Sequence, residues 1–306
     1  MITKTEPHTP AQSATTLPRL AVVMTVFNRR EKTLQCLENL SRQTALNQRI
    51  HIDVFLMDDG SRDGTSEAIR EQFPAVNLLK GDGNLFWNGG MSVAFGKAIE
   101  GKYDFYLWLN DDTFLYSEAL DTLLDCHQKL VDRGEDASIV IGGTIDPETG
   151  EFSYGGFQKA SKWTLKLLHV QPGAELKQCT TMCGNCVLIP KEVVNRVGNI
   201  EGFYTHRWGD TDYGLRTRYK GGKVWIAPGY IGTCEANPLA EAWTDTSLSF
   251  KERIKDFHSI KGYIKKDWYF YVKRHGGILW PLLWMKPYID IAVTSLKTKL
   301  TGSAKS

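Results

Sequence analysis

Two adjacent carboxylates, Asp111 and Asp112, follow Asn110 directly after the apolar run Phe105–Leu109. Side by side they repel each other unless positive charge lies between or beside them. A hard divalent cation that also holds phosphate oxygens would supply it. Asn-Asp-Asp is also ordinary turn composition, so the triplet alone leaves a solvated turn open. A second acidic cluster, Asp58-Asp59-Gly60-Ser61, closes the strand-like segment Ile52–Met57. A third, Gly209-Asp210-Thr211-Asp212, lies far downstream, behind His206, Arg207 and Trp208. In a helix that begins near Asp210, both carboxylates fall in the first turn, where the dipole favours their charged form and suits a base. Arg216, four residues after Asp212, can pair with it. A capped helix with a surface ion pair is the competing reading.

The elements that would position these groups alternate. Leu20–Val26, Ile52–Met57, Ala75–Leu79 and Phe105–Leu109 read as strands. Helical spacing follows in Leu34, Leu37 and Leu40, in Ala68, Ile69 and Phe73, in Met91, Ala94, Phe95, Ala98 and Ile99, and in Leu120, Leu123, Leu124 and Leu130. Asn28, three residues before Glu31, has capping-box spacing. The alternation predicts an α/β fold with a mostly parallel sheet flanked by helices. Asn28, Asp58 and Asp59, and Asn110 to Asp112 then stand at one sheet edge, where open α/β sheets bind ligands. The loop Gly81 to Gly90 precedes a helix, so its glycines permit close backbone approach and its amides favour phosphate. No Gly-Lys-Ser or Gly-Lys-Thr follows, which excludes a P-loop. Phe86 and Trp87 form either a stacking platform or a lid over the core.

Later segments are less regular. Ile139–Gly143 continues the sheet. Phe152–Phe157 and Trp163–Val170 suggest short strands or a hairpin arm, Cys183 to Ile189 a turn into a buried strand, and Lys223–Ala227 a strand before a loop over Pro228–Cys234. Six cysteines without a four-cysteine zinc pattern point to packing roles and a reduced, cytoplasmic setting.

The 306 residues are 42% hydrophobic, ample for a core. Residues 1–18, rich in Thr, Pro and Ser, suggest a flexible leader. Net charge is +2, but from Lys251 onward 12 Lys and Arg oppose 4 Asp and Glu, a balance of +8, which leaves −6 for the preceding residues. Phe257, Ile260, Tyr263 and Ile264 suggest an amphipathic helix. Trp280, Trp284 and Tyr288 among cations suit the headgroup region of a bilayer, at the inner face of the cell membrane. A helical cap on the preceding domain is the alternative. The apolar run Ile278–Met285 holds 8 residues and cannot span a bilayer. Nucleic acid is not an expected partner, because the rest of the chain is acidic and carries no recognition motif.

Five ordered motifs carry a resemblance: Thr25-Val26-Phe27-Asn28-Arg29, Asp58-Asp59-Gly60-Ser61, the Asn84–Gly90 loop, Asn110-Asp111-Asp112 and Gly209-Asp210-Thr211-Asp212. Over roughly Ala21 to Ala236 the chain resembles the inverting family 2 nucleotide-sugar glycosyltransferases of GT-A fold, most closely the rhamnosyltransferase-like branch that builds bacterial surface polysaccharides. The resemblance implies a catalytic domain over 19–240, with a donor half (19–113) and an acceptor half (114–240), and a helical extension over 241–306.

It further implies that Asp58 or Asp59 contacts the base, with Thr25, Phe27, Arg29, Asn84 and Asp111 also on the nucleotide. Asp112 becomes the chief ligand of Mg²⁺ or Mn²⁺, with Asp111 beside it. Asn110 departs from the family's acidic residue. Cys234 falls where many relatives have a metal-binding histidine, a part that His206 or His258 could take instead. Asp210 takes the role of base, with Gly209 where a glutamate is usual. Trp87, Asn185, His206, Trp208 and Asp212 fall to the acceptor side. The expected reaction moves a sugar such as rhamnose from a dTDP- or UDP-sugar to a saccharide or polyprenyl-linked saccharide. A non-catalytic glycan-binding or scaffold protein of the same fold is the alternative.

Overall fold

The first half of the chain alternates strand and helix: β1 (Arg19–Val26), α1 (Arg30–Ser41), β2 (His51–Asp58), α2 (Thr65–Gln72), β3 (Asn77–Lys80), α3 (Phe86–Glu100) and β4 (Phe105–Leu109). These belong to a computed structural model that describes residues 17–237, 242–260 and 262–302. Most of the expected leader, residues 1–16, lies outside the described residues. β1 pairs in parallel with β2 and β4, and β2 with β3. Parallel neighbours need crossovers, and the helices supply them. Alternate strand residues point to opposite faces. Val22, Met24, Leu56 and Leu107 therefore meet Leu37 and Leu40 of α1 on one face. Val23, Met57 and Trp108 meet Met91, Ala94 and Phe95 of α3 on the other. Burial on both sides is why these strands read as largely apolar runs.

The second half contains β5 (Phe114–Leu115), α4 (Ala119–Val131), β6 (Ser138–Ile145), β7 (Phe152–Tyr154), β8 (Gly156–Lys159), β9 (Leu167–Val170), β10 (Lys177–Gln178), β11 (Thr181–Met182), β12 (Cys186–Pro190), α5 (Lys191–Val197), α6 (Gly209–Tyr219) and β13 (Lys223–Thr233). The main sheet runs β10-β13-β6-β12-β4-β1-β2-β3, while β8, β9 and β11 form a separate small sheet. β12 lies antiparallel between β4 and β6, so the sheet is parallel in the first half and mixed in the second. The loop expected from Pro228 is instead a continuation of β13. Register shifts between Ile226 and Gly232 absorb Pro228 and Gly229, after which the strand pairs again with β6 and β5.

The extension forms α7 (Phe250–Phe257), α8 (Lys265–His275) and α9 (Trp280–Gly302). Ser249 and Glu252 make a reciprocal capping box at the start of α7. The helix expected through Phe257, Ile260, Tyr263 and Ile264 stops at Phe257, where the chain turns back on itself. A Cβ on Gly262 would lie 2.3 Å from the Asp256 carbonyl oxygen, so the turn needs glycine. Phe257, Trp268, Tyr271, Val272 and Ile291 form a third core with Tyr204 and Leu215 of the preceding domain. Trp280, Trp284 and Tyr288, expected to face lipid, instead pack against this core. Among the described residues no helix is long and apolar enough to cross a membrane.

Candidate functional site

β1, β2 and β4 run parallel, so their polar termini emerge at one edge. There the chain is stapled to itself. Asn28 does not cap α1. It adopts φ +51°, donates its amide to Ser61 Oγ at 2.8 Å and accepts the Arg62 amide at 2.8 Å. Asp59 is buried and accepts the amides of Gly83, Leu85 and Phe86, each at 2.9 Å. Its carboxylate thus organises the Gly-rich loop that opens α3. Asp58, also buried, accepts from the Ser61 amide at 2.8 Å and from the Ser66 hydroxyl. Asp58, Ser61, Ser66, Lys80 and Gly81 line a cavity of about 200 Å³. Of the two aspartates expected at a base, Asp58 faces this cavity, while Asp59 is committed to the loop. Thr25 is buried beneath α3, with Gly90 so close that a Cβ there would lie 2.2 Å from Thr25 Oγ1. Phe27 is 51% exposed, unusual for a phenyl ring and suited to stacking. Asn84 is exposed on the loop. A larger groove of about 530 Å³ between α1 and α2 contains none of these residues.

Asp111 and Asp112 are buried past the end of β4. Arg29 Nη1 lies 2.5 Å from Asp112 Oδ2 and 3.3 Å from Asp111 Oδ1, so the guanidinium joins the carboxylates rather than standing alone in a nucleotide pocket. One guanidinium for two carboxylates leaves them under-compensated. Burial, reinforced by Asp112 and opposed by Arg29, pushes Asp111 up to about 7. Cys234 Sγ is 3.7 Å from Asp112 Oδ1 and burial pushes its thiol up to about 12, so it reaches the pair as a neutral, soft group.

No group of three His, Cys, Asp or Glu among the described residues could hold a metal by itself. The pair nevertheless fits a Mg²⁺- or Mn²⁺-type ion, which is held by one or two carboxylates and takes its other oxygens from substrate phosphates and water. His258 closes α7 and packs against Tyr288 of α9.

β12 beside β4 sets the next connection. The antiparallel register places Cys186 opposite Leu109 and continues so that the Asn110 amide donates to the Asn185 carbonyl at 2.9 Å. The Asn185 side chain is buried between two thiols: Cys183 donates to its Oδ1 at 2.9 Å, and its Nδ2 lies 3.4 Å from Cys234 Sγ. It therefore braces the site rather than presenting an amide to an acceptor. Trp87 Nε1 donates to Asn110 Oδ1 at 2.8 Å. Gly184 completes the ring of contacts. Its amide donates to Asp210 Oδ2 at 3.0 Å, and a Cβ there would lie 2.7 Å from the Trp87 indole and 3.3 Å from Asp210 Cβ. Asp210 and Trp87 thus meet at one glycine, and Trp87 links it to Asn110 of the acidic turn.

Asp210 is the second residue of α6, half-buried, and its Oδ1 accepts the Thr211 amide at 2.7 Å. Burial raises its carboxyl above the usual range, opposed by these two backbone amides. Such a group is a stronger base than an exposed aspartate. Gly209 has a local reason: a Cβ there would lie 1.6 Å from Asn88 Oδ1. Asn88 is buried and donates to the carbonyls of Glu201 and Tyr204, holding the loop before α6. His206 is exposed on that loop, its imidazole pushed down by burial of its ring and then by Arg207 and Arg29.

Asp212, expected on the acceptor side, is fully enclosed. It is 0% exposed and accepts from Arg216 Nε at 2.7 Å, Arg274 Nη1 at 2.9 Å and Tyr204 OH at 3.2 Å, with His275 Nε2 at 2.8 Å. The Arg216 pair matches its spacing. Arg274 and His275 come from α8, so Asp212 locks the extension onto the helix that carries Asp210. Trp208 is likewise structural: at φ +79° it stacks on Tyr271 with ring centroids 4.4 Å apart.

The sequence model of Glycosyl transferase family 2 matches residues 21–198, more than half of the chain. The chain belongs to that family. A curated relative, Glycosyltransferase GlyG of Streptococcus pneumoniae serotype 4, is 28% identical over 144 residues, 44% of this chain and 42% of the relative. The chain therefore spans under half the length of that relative. Among solved structures, a mannosyltransferase from Pyrobaculum calidifontis, in complex with GDP-Man and Mn²⁺, covers 98% of this chain and 83% of its own, with TM-score 0.52 and 15% identity. That likeness extends the GT-A architecture through the helical extension.

Sequence reasoning on this family 2 chain missed Gly184, Asn88, Arg274 and His275. Arg274 and His275 sit in a basic tail whose composition points to a surface. Their pairing with a helix about 60 residues upstream leaves no local signal.

Proposed function

We propose that the chain is a metal-dependent, inverting glycosyltransferase. It would move a sugar such as rhamnose from a dTDP- or UDP-sugar to a saccharide or polyprenyl-linked acceptor in surface-polysaccharide synthesis. The observation that carries this reading is the Gly184 junction. A half-buried, strengthened base, Asp210, and Trp87 both meet Gly184, and Trp87 donates to Asn110 of the turn bearing the buried Asp111–Asp112 pair. Those are the two charges that a single displacement needs: a proton acceptor and a site for the leaving diphosphate.

In this reading the nucleobase enters the cavity beside Asp58, whose oxygens retain accepting capacity for the imide hydrogen of uracil or thymine. Phe27 offers its exposed ring. A divalent cation on Asp112 would neutralise charge that develops on the leaving diphosphate. Arg29 moves between Asp112 and the phosphates, and Trp87 supports the acceptor. The acceptor oxygen bonds to the anomeric carbon as the carbon–oxygen bond to the diphosphate breaks. The hydroxyl proton passes to Asp210. One displacement on the opposite face inverts the anomeric configuration. Asp212, enclosed by cations, stays out of the chemistry.

The test is a screen of dTDP-, UDP- and GDP-sugars with Mg²⁺, Mn²⁺ or chelator, reading nucleoside diphosphate release with and without saccharide acceptors. Turnover of a thymidine or uridine donor that chelator stops is the expected result. Binding of glycans without turnover of any donor would replace this reading with that of a scaffold.

A further inference from the structure

Helix α9 has two unlike faces. Trp280, Leu283, Trp284, Tyr288 and Ile291 turn inward; Tyr288 meets Phe257, and Trp268 Nε1 donates to the Trp284 carbonyl at 3.3 Å. The opposite face carries Leu282, Met285, Ile289, Val293 and Leu296, exposed at 68%, 41%, 52%, 45% and 60%, with Ile278 at 87% just before it. Steps of three and four residues place them in one row. At helical rise the row is about 25 Å long. Contiguous exposed apolar surface of that kind marks an interaction site.

Charge selects the partner. Lys286 and Lys297 follow Met285 and Leu296 directly and flank one edge of the row, and Lys265, Lys266 and Lys273 are exposed on α8. Among the described acids of α8 and α9, Asp267 is buried and accepts the Thr205 amide, and Asp290 pairs with Lys286, which leaves the exposed lysines of α8 as the main positive charge. A second copy of the chain would bring the same cations against themselves. A bilayer with anionic headgroups brings the opposite charge, and lysines beside an apolar row can reach it while their stems lie along the acyl boundary.

We propose that the Ile278–Leu296 row lies in the surface of a membrane containing anionic lipid, with α9 parallel to the bilayer plane. The aliphatic row makes the contact and the tryptophans hold α9 to the domain. This assignment is independent of the transfer reaction, and its test reads no activity. The full chain is sedimented with vesicles of phosphatidylglycerol mixed with phosphatidylcholine, and with phosphatidylcholine alone. Wild type should partition to the anionic vesicles. The pair Leu282→Glu with Ile289→Glu, at exposed positions that leave the inward face intact, should lower that partitioning about tenfold or more, since each loses an apolar side chain from the interface. Lys286→Gln with Lys297→Gln should weaken it several-fold and flatten its salt dependence. Circular dichroism and melting of each variant are measured alongside.

Equal partitioning of well-folded wild type and Leu282→Glu/Ile289→Glu would overturn the proposal. So would sedimentation velocity showing, without lipid, a dimer that the glutamate pair dissolves.

Discussion

Asp210 and Asp212 lie two residues apart on one helix, yet substituting each by asparagine should give opposite phenotypes. Asp210 is half-buried, and its partners are two backbone amides, from Gly184 and Thr211. In Asp210→Asn the new side chain keeps one acceptor oxygen and loses one hydrogen bond, worth about 1 kcal/mol. Against that loss, burial disfavours the charged carboxylate, which asparagine no longer carries. Stability should therefore change by less than about 1 kcal/mol. Transfer should fall roughly 10²-fold or more, because the proton acceptor is gone. Nucleotide affinity should persist.

Asp212 is the reverse case. It is the anion for Arg216 and Arg274, with side chains 13% and 34% exposed. Removing one member of a buried pair costs about 3–5 kcal/mol. The lower end, about 3 kcal/mol, applies here because water screens the one-third exposed Arg274. A melting temperature several degrees lower should follow, with α8 loosened from α6. Thermal unfolding, calorimetry with nucleoside diphosphate, and the transfer rate must be measured on the same preparations. A well-folded Asp210→Asn protein with near-wild-type transfer would remove Asp210 from the chemistry. A fully stable Asp212→Asn protein would refute the buried hub.

Other outcomes follow from the same geometry. Asp112→Asn should abolish the response of transfer to Mg²⁺ or Mn²⁺ while melting stays close to wild type, and full wild-type activity in exhaustive chelator would exclude metal dependence. Uridine and thymidine diphosphates should bind more tightly than guanosine diphosphate, with Asp58→Asn erasing the difference in calorimetry; preferential GDP binding would overturn the base assignment. The pH profile of transfer should carry an acidic limb above the ordinary carboxylate range. The folded-state pKa of Asp210 is raised, so the active anion is lost as pH falls through that raised value. The same shift favours the folded state below the unfolded pKa and loses that contribution as pH rises through the folded one, so Asp210→Asn should flatten both dependences.

Local pattern determined the frame. Largely apolar runs at Leu20–Val26, Ile52–Met57 and Phe105–Leu109, interrupted by Thr25 and Asp53, required burial on both faces, and the helical spacings between them required crossovers. A parallel arrangement then brings Asp58, Asp59 and the Asn110–Asp112 turn to one edge without further information. Spacing also determined the Asp212–Arg216 pair, since both ends lie on the same helix.

Tertiary structure decided what each polar group does there. Nothing in Asp58-Asp59 tells which carboxylate faces a cavity and which gathers the amides of a loop more than 20 residues away. Asp210 and Asp212 are alike in sequence, and differ because α6 turns one toward Gly184 and the other toward Arg274 and His275 of α8. The aromatic and aliphatic sides of α9 are likewise both apolar. Packing against α7 and α8 half-buried the tryptophans and left the aliphatic row exposed. In each case the deciding contact joins segments far apart in the chain, which no local spacing records.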